Sequence, residues 1–308
     1  MVEVAICVAA FRRPQGLERL LRAVEKLETD AKVTVIVADN DAEGHEGYDL
    51  ASRIAPFYRW PLDVFIAKDR GIAQARNALA ERMLAKTTAQ FAAMLDDDEW
   101  PEPGWLDAFL ATQRETGADA VHGAVIPIFE TMPNIAIAQC DAMASQRGVT
   151  GLCDSICSTA NVFVSRACFE ALPKPCFDPA FGLSGGEDHD FFTRLAAQGR
   201  SFAYCDEAVV SAYVPASRAT FTWALKRAYR VGNSDMRVFL KHRPSAVAYA
   251  RECMKIAGAF AAAPVISVAL AAAPPRRMLG LWKGFRAAGK LAALFGHRYD
   301  EYAVTHGA

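Results

Sequence analysis

Residues 2–10 (VEVAICVAA) form an almost unbroken apolar run, and this narrows the possible folds more than any other feature of the chain. A strand without polar alternation must be buried on both faces, which is the habit of parallel sheets sandwiched between helices. The next ninety residues keep to that pattern. Pro14 suits a first helical turn, and Leu17, Leu20, Leu21, Val24 and Leu27 recur at helical spacing. Residues 33–38 (VTVIVA) predict a second buried strand, residues 71–85 a helix, and residues 91–95 (FAAML) another strand. Such alternation is the signature of right-handed βαβ units, so the expected class is α/β, a Rossmann-like, mainly parallel sheet flanked by helices.

Ligands of such sheets bind beyond the carboxyl ends of the strands. Three polar clusters fall at that edge: Phe11-Arg12-Arg13, Asp39-Asn40-Asp41 and Asp96-Asp97-Asp98. Carboxylates this close repel one another unless a cation neutralises them. Hard oxygens in a small cluster suit Mg2+ or Mn2+, which would also bridge phosphate oxygens of a ligand. By spacing, Asp96 and Asp98 point to the same side, so metal and nucleotide contacts are assigned chiefly to them. A solvated acidic turn is the competing reading, and placement directly after a buried strand weighs against it.

In the second half, residues 119–128, 158–165 (STANVFVS) and 202–210 read as strands. Residues 178–190 read as a Gly-rich acidic loop that opens a helix over 191–198. Within it, GLSGGEDHD (182–190) gathers Glu187, Asp188, His189 and Asp190 behind Gly185-Gly186. A single acid at a helix start is commonly a cap, but four titratable groups in succession suit a general base for an acceptor hydroxyl. Arg76, on the 71–85 helix, gains interest because positive charge would be useful beside a diphosphate. Residues 222–240 predict a helix whose basic stripe, including Lys226, Arg227 and Arg230, either binds a phosphate or is simply solvated.

A balance of 52% apolar and 22% charged residues is that of a globular chain, and a net charge of −1 gives no signal for nucleic acid. The charge is unevenly spread. From Lys241 onward ten Lys and Arg oppose three acids, so this tail carries +7 and residues 1–240 carry −8. A boundary is therefore expected near residue 240, with a basic, Ala-rich helical extension over 241–308. Residues 256–275 carry no charge, about the length of a membrane span, but they are mostly Ala, with Pro264, Pro274 and Pro275. A pair of packed helices, a membrane-surface segment and a true span all remain open. The basic residues downstream, interleaved with Leu281, Trp282 and Phe285, favour an anionic membrane leaflet. Eight scattered cysteines lack zinc-site spacing, and the short apolar start runs directly into Arg12-Arg13 without a secretory pattern. Reduced thiols in a cytoplasmic protein are expected.

Taken together, FRRP (11–14), Asp39-Asn40, GIAQARN (71–77), LDDDEWPEPGW (95–105) and GGEDHDFF (185–192) resemble glycosyltransferase family 2, more narrowly its bacterial exopolysaccharide (succinoglycan-type) glucosyltransferases. The likeness runs from about residue 3 to residue 240. It implies a GT-A fold, direct displacement with inversion at the anomeric carbon, and a divalent metal, Mn2+ or Mg2+. By position, Asp39 matches the acid near the uracil–ribose part of a UDP-sugar donor, over a floor made by Ala10, Phe11 and Arg12. Arg76 matches the arginine beside the diphosphate. Asp96 and Asp98 match the metal-binding pair, with Asp97 between them. Asp188 matches the catalytic base and Glu187 the residue that orients hydroxyls, while Trp100, Asn161, Gly185, Gly186 and His189 fall near the sugar or acceptor. The resemblance further implies a polyprenyl-diphosphate-linked saccharide as acceptor, at the inner face of the cytoplasmic membrane. Two departures stand out. Residues 211–215 (SAYVP) offer no late His as a further metal ligand, and WALKR (223–227) lacks the processive enzymes' signature, which argues for transfer of one sugar. A sugar nucleotidyltransferase would need a Gly-rich phosphate loop with Lys where FRRP stands. A non-catalytic nucleotide-sugar-binding subunit would not need Asp188.

Overall fold

The computed structural model describes residues 1–300, so the last eight residues of the expected extension lie outside the described part. Strands β1 (Glu3–Ala10), β2 (Lys32–Asp39), β3 (Leu62–Ile66) and β4 (Phe91–Asp96) are mutually parallel. Helices α1 (Pro14–Val24), α2 (Glu46–Ile54) and α3 (Ile72–Lys86) make the crossovers between them. The chain continues through β5 (Glu99–Pro101), α4 (Trp105–Thr116), β6 (Ala120–Phe129), α5 (Ile135–Ala138), β7 (Gly151–Cys153), β8 (Val162–Ser165) and α6 (Arg166–Ala171). It ends with α7 (Glu187–Ala197), β9 (Phe202–Val214), α8 (Phe221–Lys241), α9 (Ala246–Ala269) and α10 (Leu279–Leu294). One sheet has the order β3-β2-β1-β4-β8-β6-β9-β5, with β7 also on β9. β8 runs antiparallel to both of its neighbours, as do β5 and β7 to β9.

The apolar run of β1 is divided between two cores, as burial on both faces requires. Val4, Ile6 and Val8 pack with Leu17, Leu20, Leu21 and Val24 of α1 and with Trp105 and Phe109 of α4. Ala5 and Cys7 face the other way, toward Leu79 and Met83 of α3 and Phe191 and Phe192 of α7. Register then brings the polar clusters together, because Ala10 pairs with Asp39 and Ala9 pairs with Asp96.

Several expected boundaries move. The strand expected over 158–165 begins only at Val162, because Asn161 sits in the left-handed region at φ 51°. The strand expected over 202–210 runs on to Val214 along β6 and β5. The helix expected from residue 191 begins at Glu187. Gly185 and Gly186, at φ 74° and 100°, make the turn that only glycine takes readily, and the chain enters α7 directly after it. Glu187, Asp188 and Asp190 therefore occupy a first helical turn, where the helix dipole favours anions.

Beyond α8, the extension folds back. A Cβ on Gly232 would overlap the Arg286 carbonyl, and one on Gly289 would overlap the Tyr229 carbonyl, so α8 and α10 approach to backbone contact at these two glycines. α9 lies outside them and leaves most of its surface exposed. All eight cysteines are free thiols.

Candidate active site

A cavity of about 1050 Å³ opens at the carboxyl ends of β1, β2 and β4 and extends beneath α7, α8 and α10. At its sheet end the acidic run is held by a dense ion-pair network. Asp97 is buried; it accepts from the Phe11 backbone N–H at 2.8 Å and from Arg13 at 2.9 Å. Burial pushes its carboxyl up to about 7 in spite of Arg13, and repulsion from Asp98 adds to the rise. Burial also disfavours charge on Arg13, but Asp97 and Asp98 outweigh it and raise the guanidinium's pKa. Asp98 Oδ2 accepts from Arg13 at 3.0 Å and from Arg218 at 3.2 Å. Glu99 folds back to accept the Asp96 N–H at 3.0 Å, and burial followed by the Asp96 charge raises it well above an ordinary glutamate. The close approach of α1 depends on Gly16, where a Cβ would press on the Asp97 carbonyl.

Arg76 joins this end of the cavity to α7. It is 4% exposed; Nη2 donates to Asp96 Oδ1 at 3.1 Å, and Nη1 donates to Glu187. Glu187 Oε2 is buried and has no hydrogen-bond partner among the described residues. Burial, then repulsion from Asp188, pushes the Glu187 carboxyl up to about 7 against the attraction of Arg76. Asp188 and His189 come next on the cavity wall. The His189 ring faces Asp235 of α8 at 3.4 Å, and that contact raises its pKa. Arg286 of α10 donates to Asp235 at 2.6 Å, so the extension supports the wall opposite the sheet.

Of the residues expected from sequence, the structure brings Ala10, Phe11, Arg76, Asp96, Asp97, Asp98, Gly185, Gly186, Glu187, Asp188, His189, Arg227 and Arg230 to one cavity. It does not bring the others there. Asp39 is buried and spends its carboxylate on the Asp41 and Tyr48 N–H groups; the cavity wall has Asn40 instead. Arg12 turns outward to Asp41 at 2.9 Å, and the neighbouring Arg13 is the cation that points inward. Trp100 lies on β5 under the Arg19 guanidinium, 4.8 Å from its ring centroid. Asn161 is fully buried, donating to the Ala124 and Ala208 carbonyls and accepting from Trp105 Nε1. It fastens the β6 bulge to β8 and β9 and meets no ligand space. Lys226 is exposed on the outer side of α8.

Sequence reasoning missed Arg218, Asp235, Arg286 and Lys290. Arg218 comes just after β9, near the stretch searched for a late histidine, and it reaches Asp98 as a cation instead of a metal ligand. Nothing in local spacing marks it. Among the described residues no three His, Cys, Asp or Glu groups gather as a cation cage. Asp96 and Asp98 nevertheless both line the cavity, with side chains 37% and 20% exposed. Two such carboxylates fit an ion that shares its remaining positions with phosphate oxygens and water, rather than one enclosed by protein.

The family model "Glycosyl transferase family 2" matches residues 5–160, just over half of the chain. A curated relative, "Succinoglycan biosynthesis protein ExoM" of Rhizobium meliloti (strain 1021), is 32% identical over 254 residues, covering 77% of this chain and 74% of its own. The chain belongs to glycosyl transferase family 2. Two solved structures share its architecture. A mannosyltransferase from Pyrobaculum calidifontis, PcManGT, crystallised with GDP-Man and Mn2+, superposes with a TM-score of 0.65 at 17% identity, over 95% of this chain and 87% of that one. GalNAc-T7, crystallised with UDP, GalNAc and Mn2+, gives 0.54 at 14% identity over 78% of this chain, which spans half of that longer chain. The fold of this family 2 member is GT-A, with a helical region after the sheet, and the enzyme class is glycosyltransferase.

Proposed function

We propose that the chain transfers one hexose, glucose or a close relative, from a UDP-sugar to a polyprenyl-diphosphate-linked saccharide in bacterial exopolysaccharide synthesis, with inversion. The observation that carries this reading is the Arg76 bridge. One guanidinium bonds both Asp96 of the acidic run and Glu187 of the first turn of α7, so donor-side acids and the acids of α7 face a single space. The succinoglycan name of the 32% identical relative supports the exopolysaccharide setting. Nucleotide and Mn2+ in the neighbours' crystals support a nucleotide-sugar donor and a divalent ion.

In this reading residues 1–240 form the transferase domain and 241–308 a basic helical appendage. Asp96 and Asp98 would hold Mn2+ or Mg2+, which would supply positive charge beside the donor's diphosphate. Arg13 and Arg218, both fixed on Asp98, add cationic charge where negative charge gathers on the departing nucleoside diphosphate. Asp188 takes the proton of the acceptor hydroxyl as its oxygen bonds the anomeric carbon and the bond to the diphosphate breaks. Glu187, held by Arg76, fixes the turn that carries Asp188. The helix dipole at the start of α7 favours the negative charge that this role needs. The deciding experiment measures nucleoside diphosphate release from a panel of UDP- and GDP-sugars with Mn2+, Mg2+ or chelator. Release from a UDP-hexose that depends on the ion is expected. Full turnover in chelator would remove the metal from the mechanism.

A further inference from the structure

We propose that α9 lies in the plane of an anionic bilayer, with its apolar stripe in the headgroup–acyl boundary, so that the cavity opens at the lipid surface. The seating of α9 stands on the helix itself; the delivery of a lipid-linked acceptor rests on the transferase reading above. α9 is long and apolar enough to cross a membrane, yet only 11% of its apolar stretch is buried in the fold. Ile256 and Ala263 are its only buried residues. Val247, Met254, Val265 and Val268 are each about two-thirds exposed or more. At 100° per residue these four fall within about 60° of one another, a single stripe. Apolar surface of this extent on the outside of a fold marks a contact with something apolar.

The connections of α9 decide between spanning and lying flat. Its N-terminal end follows Lys241, which is tied to Asp178 and Asp190 at 2.7 Å, and its C-terminal end leads into α10, locked on α8 at Gly289. Both ends are thus anchored to one side, on the catalytic body. The inner face is also committed: Glu252 accepts from Lys290 at 2.5 Å, and Gly280 of α10 fits against Ala263 and Ser267. A helix with both ends and one face fixed to the body presents only its outer face to a bilayer, which is the interfacial arrangement.

Charge selects the occupant. Arg251, Arg276 and Lys283 are exposed on α9 and the segment that follows it, while Glu252, the only acid on α9, is paired with Lys290 and Lys255. A second copy of the chain would set these cations against their own kind, which disfavours self-association. Anionic headgroups complement them. Pro244, Glu252 and Lys290 line the cavity, so one end of it reaches the inner side of α9. A helix with its side chains is about 10–12 Å across, so on this seating that end of the cavity lies about one helix diameter from the headgroups. A saccharide on a lipid diphosphate can then enter without leaving the bilayer.

The test is flotation of the full chain with vesicles of phosphatidylglycerol and phosphatidylcholine in equal parts, compared with phosphatidylcholine alone. Binding to the anionic vesicles is expected, weakened about tenfold or more by Val265→Asp and again by Val268→Asp. Arg276→Glu with Lys283→Glu removes the preference for the anionic lipid. Both valines project outward, so nucleoside diphosphate release in detergent with a soluble acceptor stays at the wild-type rate, while transfer to an acceptor embedded in vesicles falls in step with binding. Failure of the wild-type chain to bind anionic vesicles overturns the proposal, as does unchanged binding by the aspartate variants. A dimer that Val268→Asp splits overturns it too, in favour of a second copy on the stripe. Absence of diphosphate release from every donor would retire the transferase reading and leave the flotation result standing.

Discussion

Glu187 offers the sharpest test of the electrostatics at this site. The residue is 1% exposed, one carboxyl oxygen has no hydrogen-bond partner among the described residues, and burial with the adjacent Asp188 lifts its pKa from 4.5 to about 7 even with Arg76 bound. A pKa raised on folding means that the native state holds the proton between about pH 4.5 and 7 while the unfolded chain releases it. The contribution to stability is therefore complete below 4.5 and lost as pH rises through 7. A difference of about 2.5 pH units at 1.36 kcal/mol each makes this loss roughly 3 kcal/mol. Glu187→Gln cannot titrate. Its stability relative to the wild type should rise by about that amount from pH 4.5 to 7.5, whatever constant offset comes from exchanging the Arg76 ion pair for a neutral hydrogen bond. Urea unfolding of both proteins at half-unit pH steps reads the difference. Parallel pH profiles for the two proteins would refute the reasoning, since Glu187 would then ionise alike in the folded and unfolded states.

Three further outcomes are expected from the same geometry. Asp188→Asn should lower transfer about 10²–10⁴-fold with nucleotide affinity by calorimetry unchanged, because the base acts on the acceptor and not on the donor. Asn161→Ala should cost on the order of 2–4 kcal/mol of stability by thermal unfolding, since two carbonyls and the Trp105 N–H lose their buried partner, while KM for the donor stays fixed in the protein that folds. Gly289→Val should lower the unfolding temperature by several degrees, as overpacking against the Tyr229 carbonyl costs about 1–3 kcal/mol and pries α10, with Arg286 and Lys290, off the cavity wall.

Much of the sheet was legible in the sequence, and for a specific reason. β1, β2 and β4 are buried on both faces, so each announces itself as a continuous apolar run, and the polar residues that end each run must lie at one edge of a parallel sheet. β3 escaped notice because it is short and half-buried, with Asp63 inside it, and β5 because it is three residues long and opens on Glu99. The start of α7 was misplaced because acids after two glycines read as loop, whereas the left-handed turn at Gly185-Gly186 leads straight into helix. Trp100 lies within a motif and Asn161 within an expected strand, but backbone direction sends one beneath Arg19 and the other into the core.

The sequence by itself determined the α/β class and the sheet edge at which the acidic and basic clusters gather, because burial pattern and strand-end position are local properties of the chain. Tertiary structure alone decided which charges meet. Arg218 lies 120 residues from Asp98, Arg76 lies 111 from Glu187, and Arg286 lies 51 from Asp235. An ion pair leaves no periodicity in the chain, since any guanidinium carried to the right place by sheet order and helix packing can make it. The same holds for α9. Its apolar composition was plain, but only the fold showed that this surface stays exposed, tied at both ends to the catalytic body.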